Sequence, residues 1–332
     1  MRSSPPVNEL LESAQIVELR KRSNCWGFYL VAHCWVTIAL ACALFVWLPN
    51  PATFILAAMV VGSRQLGLVI LMHDGAHGAL CRSRELNDFL SQWCCAFPML
   101  ADTFIYRRYH LKHHARTLAD DDPDLVLTGH YPVTRASLRR KLLRDITGQT
   151  GFNQRRAQFA AAMGPGGRPF SERLRDLFAN LGRHITVNVV LFACCAAAGH
   201  WYLYPALWIV PLLTWQQLVL RIRNIAEHAA VPDRTDPFKN ARTTRANLLE
   251  RLFVAPYWVN YHLEHHLAMW VPCYRLPLLR RFLIGNGYGD DMLSADGYLE
   301  VLNHVTIDSE DASGPPQKRR ALGTFSDGFD HS

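Results

Sequence analysis

Two long apolar blocks separate polar segments along this chain. Residues 26–48 carry no charged side chain, residues 51–72 carry only Arg64, and residues 185–220 again carry none. Apolar runs of about 18 residues or more are long enough to cross a bilayer. The first block, drawn as one helix at about 1.5 Å per residue, would be roughly 70 Å long against a hydrocarbon core of about 30 Å. It must fold back, and Pro49-Asn50-Pro51 is the natural turn. The second block would be roughly 54 Å as one helix. Arg183 precedes it and Arg221 and Arg223 follow it, and basic flanks at both ends favour an even number of crossings. The pattern predicts an all-α integral-membrane fold with four transmembrane helices in two hairpins. The expected spans are about 26–48, 51–72, 185–203 and 204–222, with the second turn near residues 199–205.

The polar segments fill in the rest. Residues 1–25 read as a cytosolic N-terminal segment, 26–307 as one membrane domain, and 308–332, polar with few apolar anchors, as a disordered tail. The stretches 89–100 and 248–259 are apolar but too short to span, which predicts interfacial or re-entrant helices. Residues 134–147 read as a helix stopping before Gly148. Ser171 is a candidate cap for a second helix, 172–181, ending at Gly182, and Gly164-Pro165-Gly166-Gly167 is a linker.

Charge decides between readings of the basic balance. The 332 residues are 50% hydrophobic and 19% charged, with a net charge of +7. Soluble domains average about 25% charged residues. Of 35 Lys and Arg, 4 precede residue 25, 17 lie between residues 80 and 184, and 13 follow residue 220, whereas the two short turns carry none. This is the positive-inside pattern, so the basic segments mark one cytosolic face rather than a nucleic-acid surface. Four spans put the N-terminus, the middle segment and the C-terminal segment on that face as a helical cap. The nine Cys form no CxxC pair, several lie in or beside the spans, and disulfides are not expected. No cleavable signal peptide is evident.

The chemistry is concentrated in histidine. Eight of 15 His fall in three short boxes: His73-Asp74-Gly75-Ala76-His77, His110-Leu111-Lys112-His113-His114 and His262-Leu263-Glu264-His265-His266. Helix positions i, i+3 and i+4 share a face, so each box can aim two or three imidazoles at one point. Each box lies just beyond an apolar segment on the same expected face. Neutral imidazole suits Fe, Zn, Cu and Ni. Eight are too many for a single ion and suit two. Asn224-Ile225-Ala226-Glu227-His228 follows the last span, with Asn224 and His228 at i and i+4; His228 is a candidate ninth ligand and Asn224 a weak ligand or water holder.

The three boxes, the Asn224–His228 element and the run from Tyr261 to His266 resemble the integral-membrane fatty acid desaturase and hydroxylase family over roughly residues 60–290. The resemblance implies a four-span helical fold with a cytosolic cap, two non-haem iron ions, O2 as co-substrate, and electrons from an external ferredoxin or cytochrome b5-type donor. It also implies His73, His77, His110, His113, His114, His228, His262, His265 and His266 as ligands, with Asn224 supporting. The three intervening residues of the first box point to the bacterial and plant acyl-lipid side, hence a bacterial inner membrane. His262, where front-end desaturases have Gln, and the lack of HPGG or Rieske patterns leave the donor a separate protein.

On this reading a lipid or acyl chain is the substrate and receives a double bond. The boxes equally suit a hydroxylase or ketolase of alkyl, sphingoid or carotenoid chains, or a desaturase of a small amino-acid-like metabolite of the dihydrorhizobitoxine type. A non-redox zinc hydrolase is disfavoured because HExxH is absent. Tyr106-Arg107-Arg108-Tyr109 reads either as a holder of an anionic headgroup or as an interface belt. Acidic residues beside the boxes (Asp120–Asp122, Asp124, Glu227, Glu264) read as turn formers or as hydrogen-bond partners of the imidazoles. His33, His184 and His200 read as structural, and Trp270, Pro272 and Tyr274 as walls of the site. Arg64 can snorkel, pair inside the bundle or bind substrate.

Overall fold

The computed structural model describes residues 7–308; most of the tail expected to be disordered lies outside the described residues. Short helices α1 (Val7–Leu10) and α2 (Ser13–Leu19) lead into α3 (Asn24–Trp47) and α4 (Pro51–Ala76). The turn between α3 and α4 is built as its sequence suggests. Asn50 Oδ1 accepts the backbone N–H groups of Ala52 (3.0 Å) and Thr53 (3.1 Å), and Pro51 occupies the first turn, where its missing N–H costs nothing. Helix α4 is the central post: from Val61 to Ala76 nearly every residue is buried. Its last turn carries the first histidine box.

Helix α5 (Arg84–Phe89) continues into a π-helical stretch, Leu90–Ala96, and a 3₁₀ turn, Phe97–Met99. This is the first short apolar stretch. It packs so closely on α4 that a Cβ on Gly75 would stand 2.1 Å from Ser91 Cβ, so only glycine fits there. Asp102 then caps α6 (Thr103–Ala115) through Phe104 N and Ile105 N, both at 2.9 Å, and α6 carries the second box. The basic middle segment folds into α7 (Leu125–Thr128), α8 (Arg135–Ile146) and α9 (Gln149–Ala162). Helix α8 runs as its sequence predicts, capped by Thr134 and stopped at Gly148, whose φ is 81°.

The second apolar block differs from expectation. Helix α10 (Phe170–Ala197) is a single 28-residue helix, starting fifteen residues before the expected 185. Ser171 and Gly182, read as the ends of a separate helix, lie inside it, and Pro169 sits at its N-cap. An internal glycine costs a helix only about 1 kcal/mol, which does not by itself end one. The expected span 204–222 is three pieces: a π-helical turn (Tyr204–Ile209), α11 (Val210–Leu213) and α12 (Trp215–His228). Pro205 and Pro211 remove backbone donors from this stretch, and the chain breaks at Thr214 (φ −117°, ψ −89°). Three helices among the described residues, α3, α4 and α10, are long and apolar enough to cross a membrane. Phe28, Val36, Leu40 and Trp47 on α3 and Val189 and Val190 on α10 are exposed. Such apolar faces suit lipid rather than water.

The C-terminal part wraps the end of the bundle with α13 (Leu248–Phe253), α14 (His262–Leu267), α15 (Leu276–Gly285) and α16 (Tyr298–His304). Two-residue strands pair in parallel, β1 (Val133–Thr134) with β4 (Thr306–Ile307) and β2 (Thr243–Thr244) with β3 (Ser294–Ala295). Thr243 also bridges Tyr261, the residue before the third box. Arg64 is buried and donates from Nη2 to the carbonyl of Leu252 (2.6 Å), so it pairs inside the protein rather than snorkelling. All nine cysteines are free thiols.

Candidate metal centre

The four histidine elements come from distant parts of the chain: the end of α4, α6, the end of α12, and α14. The structure brings all nine imidazoles together in two groups. His73, His77, His110, His114 and His265 form one; His113, His228, His262 and His266 form the other. Within each group the nitrogens lie within 4.8 Å of one another. The division follows helix geometry. Residues at i and i+4 stay together (His73 with His77, His110 with His114, His262 with His266), while the i+3 members His113 and His265 cross to the other group. Boxes two and three are therefore shared between the groups, not each aimed at a single point. The rings of His114 and His266, 4.3 Å apart, link them.

The ring nitrogens face each other too closely for ordinary packing. His110 Nε2 and His114 Nε2 are 2.9 Å apart, His114 Nε2 and His265 Nε2 3.0 Å, His228 Nε2 and His262 Nε2 2.9 Å, and His262 Nε2 and His266 Nε2 3.1 Å. His73 Nε2 and His77 Nε2 are buried with no hydrogen-bond partner. A neutral imidazole has one donor nitrogen and one acceptor nitrogen, so a ring of converging nitrogens cannot satisfy itself. A cation at the focus of each group would use every lone pair. The donor set, all imidazole and no thiolate, fits iron.

The Nδ1 atoms explain why Nε2 is free to face inward. His113 Nδ1 lies 2.9 Å from Asp122 Oδ1, His228 Nδ1 donates to the carbonyl of Asn240 (2.9 Å), and His262 Nδ1 stands 3.1 Å from Glu227 Oε1. His266 Nδ1 meets Thr117 Oγ1 at 3.4 Å, and Asp74 Oδ1 is 3.7 Å from His73 Nδ1. A proton held on Nδ1 leaves the Nε2 lone pair for a metal. Asp122 thus bonds one imidazole directly, and Glu227 faces another. Glu264 instead anchors the box backbone: fully buried, it takes Arg280 Nη1 at 2.6 Å and the Thr243 hydroxyl. Asp74 Oδ2 accepts Cys273 N (2.9 Å), tying box one to the segment after box three.

Burial sets the electrostatics. It pushes the His77 and His228 imidazoles down to about 3 and holds His110, His114, His262, His265 and His266 well below the usual imidazole range. Neighbouring rings add to this, because a second positive charge nearby is unfavourable. All of these rings are neutral at pH 7 and able to ligate. Burial also raises the Glu227 carboxyl to about 7, against the pull of Arg223, whose Nε is 2.6 Å away.

Several positioning residues carried no sequence signal. Arg242 is 1% exposed and donates to the carbonyls of Ala226 and Ala229, both at 3.0 Å. It closes the C-terminus of α12 where His228 sits. Arg280, Thr243 and Thr117 reach the boxes across more than ten residues, invisible to local spacing. Arg223 was readable, since it stands four residues before Glu227. Asn224 is half-buried one turn before His228, and among the described residues no hydrogen bond joins it to the imidazoles. Of the candidate headgroup residues, Tyr106 and Arg107 are half-buried and Arg108 and Tyr109 exposed. Tyr106 stacks on His110 (5.0 Å, 14°), Arg107 binds the carbonyls of Gly75 and Ala76 and Asp88, and Tyr109 binds Asp124; Arg108 is exposed. Trp270 lies against Arg20 and Tyr274 stacks on Trp26, toward the N-terminal segment. His33 bonds Tyr257 and His200 bonds Tyr202, as structural histidines do. A cleft of about 300 Å³ lined by His77, Arg82, Arg84 and Arg107 reaches the five-histidine group from the surface.

Comparison with known proteins agrees with this geometry. The fatty acid desaturase family model matches residues 45–289. Dihydrorhizobitoxine desaturase of Bradyrhizobium elkanii is 27% identical over 270 residues, covering 79% of this chain and 76% of that protein. Beta-carotene ketolase of Paracoccus sp. (strain N81106 / MBIC 01143) is 27% identical over 226 residues, covering 65% of this chain and 74% of the ketolase.

Proposed function

Because this chain belongs to the fatty acid desaturase family, we propose that it is an O2-dependent membrane oxidoreductase that introduces a double bond into an acyl chain of a lipid or fatty acid. Two non-haem iron ions are held by its nine histidines, one by His73, His77, His110, His114 and His265 and the other by His113, His228, His262 and His266. Asn224 supports the second site from the turn before His228. The observation that carries this reading is the division of the imidazoles into two groups with nitrogens converging at each focus.

When bound, iron supplies the oxidising power toward an unactivated C–H bond that no side chain possesses. The chain's own residues do the rest. Burial excludes water and keeps the imidazoles neutral. Asp122 and the Asn240 carbonyl hold protons on Nδ1 of His113 and His228 and so aim Nε2 inward, and the Glu227 carboxyl faces His262 Nδ1 at 3.1 Å. Electrons come from a separate ferredoxin or cytochrome b5-type protein. Residues 26–307 act as one membrane domain, with residues 204–222 as a broken fourth crossing. The basic segments then keep the histidine centre on the cytosolic face of a bacterial inner membrane.

A second reading is favoured by the relatives, one named as a desaturase of dihydrorhizobitoxine and one as a ketolase of carotene. It makes this chain a desaturase of a small amino-acid-like metabolite, or a hydroxylase or ketolase of a long hydrocarbon. Mass spectrometry of products separates these outcomes: loss of two hydrogens against gain of oxygen, on a lipid or on a small molecule. Metal analysis of the purified protein should give about two iron per chain, and His113→Ala and His265→Ala should each abolish turnover. Zinc in place of iron, or full activity in either variant, overturns the assignment.

A further inference from the structure

A second cavity is lined by none of the nine clustered histidines. It measures about 200 Å³ and is lined by residues of α3, α4 and the α13 region, among them His33, Arg64, Arg251, Tyr257 and Trp258. Arg64 stands nine residues before His73 on α4, roughly 13 Å along the helix axis. It therefore does not belong to the imidazole centre.

Three observations mark this cavity as built rather than incidental. First, Arg64 is 5% exposed, and its Nε is buried with no hydrogen-bond partner, although Nη2 is satisfied by the Leu252 carbonyl. A cationic group inside a membrane-spanning helix is costly and is retained where it has a partner to bind. Second, the lining contains two guanidinium groups, an imidazole and two phenols but no carboxylate, so nothing in the wall neutralises the charge. Third, Tyr257 and Trp258 both adopt left-handed backbone, with φ of 54° and 58°. Two successive non-glycine residues in that region store strain, and strain of this kind gathers at ligand clamps. The strained pair holds the Tyr257 hydroxyl 3.0 Å from His33 Nδ1 and sets the Tyr257 ring 5.5 Å from the Arg64 guanidinium.

The surroundings indicate where a ligand comes from. Leu248, Leu249 and Leu252 of α13 are exposed apolar side chains beside Arg251, and Tyr29 on the neighbouring face of α3 is 54% exposed. An exposed leucine face next to an arginine is the pattern of a helix lying in the membrane interface. The cavity thus opens where lipid stands, and its volume suits a carboxylate or phosphate group with a few methylenes, not a whole chain.

We propose that this cavity binds the oxyanion head of a membrane amphiphile between Arg64 and Arg251, with its alkyl tail left in the lipid. A fatty carboxylate and a phospholipid phosphate share this chemistry. The proposal is independent of the reaction at the histidine centre.

The test compares ligands with the same tail. Decanoate, decanol, inorganic phosphate and didecanoyl phosphatidic acid are titrated against the iron-loaded protein in a neutral detergent, following its melting temperature. Decanoate or the phosphatidic acid should stabilise it saturably, and the stronger of the two identifies the source of the head. Decanol should not. Arg251→Gln, at the exposed rim, should weaken binding about tenfold, and Arg64→Gln should abolish it, with iron content confirming that both variants are folded. Equal effects of decanoate and decanol, or wild-type binding by folded Arg251→Gln, overturn the proposal. An effect of inorganic phosphate as large as that of either lipid overturns the bilayer origin of the ligand.

Discussion

Glu227 Oε1 stands 3.1 Å from His262 Nδ1 and 2.6 Å from Arg223 Nε, so one buried oxygen lies against both an imidazole and a guanidinium. Arg223 opposes the protonation that burial favours at Glu227, whose carboxyl stands against the ring that faces His228 and His266. One carboxyl thereby lies between an arginine on α12 and a histidine on α14.

Removing this carboxylate should act on one metal group. Changing a residue that orients a ligand typically lowers metal affinity about 10- to 100-fold. Glu227→Gln should lose iron from the group of His113, His228, His262 and His266 and retain it in the other. Elemental analysis after mild chelation should then give about one iron per chain.

The Glu264–Arg280 pair supports stability instead. Glu264 is fully buried and Arg280 largely so, at 2.6 Å. Removing one partner of a buried pair costs about 3–5 kcal/mol. Arg280→Ala should lower the melting temperature markedly; a shift near zero would show the pair to be dispensable.

Gly75 is a packing requirement inside the first box. Gly75→Ala places a methyl group 2.1 Å from Ser91 Cβ, which the backbone must absorb. Overpacking of this kind costs about 1–3 kcal/mol or more. Because the clash is with a side chain, Ser91→Gly should recover part of the loss in the double variant. Equal stability of the single and double variants would place the strain elsewhere.

Acid should destabilise the metal-free protein. The His77 and His228 imidazoles titrate near 3 when folded, against about 6.5 when unfolded. Below 6.5 the unfolded chain binds more protons, so the stability from these buried neutral rings is present above 6.5 and lost as pH falls toward 3. The melting temperature of the chelated protein should therefore fall steadily from pH 7.5 to 4.5, and a flat profile would show that these two rings do not titrate so low in the folded chain.

How much was legible follows from the range of each signal. The α3–α4 hairpin was readable because uncharged length and an Asn-Pro turn are local properties. The nine histidines were readable because spacing at i, i+3 and i+4 is local too. The second block was misjudged where its sequence gives conflicting local cues: Gly182 suggests an end, yet α10 runs through it, while Pro205 and Pro211 break a segment that composition alone reads as one span.

The amino-acid order by itself determined that the chain is helical and apolar enough for a membrane, and that imidazoles recur at helical spacing near the ends of apolar stretches. Only the tertiary structure decided how these imidazoles divide, five and four, with boxes two and three each shared between groups. It alone also decided that Arg242, Arg280 and Thr243 steady them and that Arg64 faces a cavity of its own. The physical reason is that spacing along a helix defines a face, whereas which face meets which is set by close packing between segments far apart in the chain.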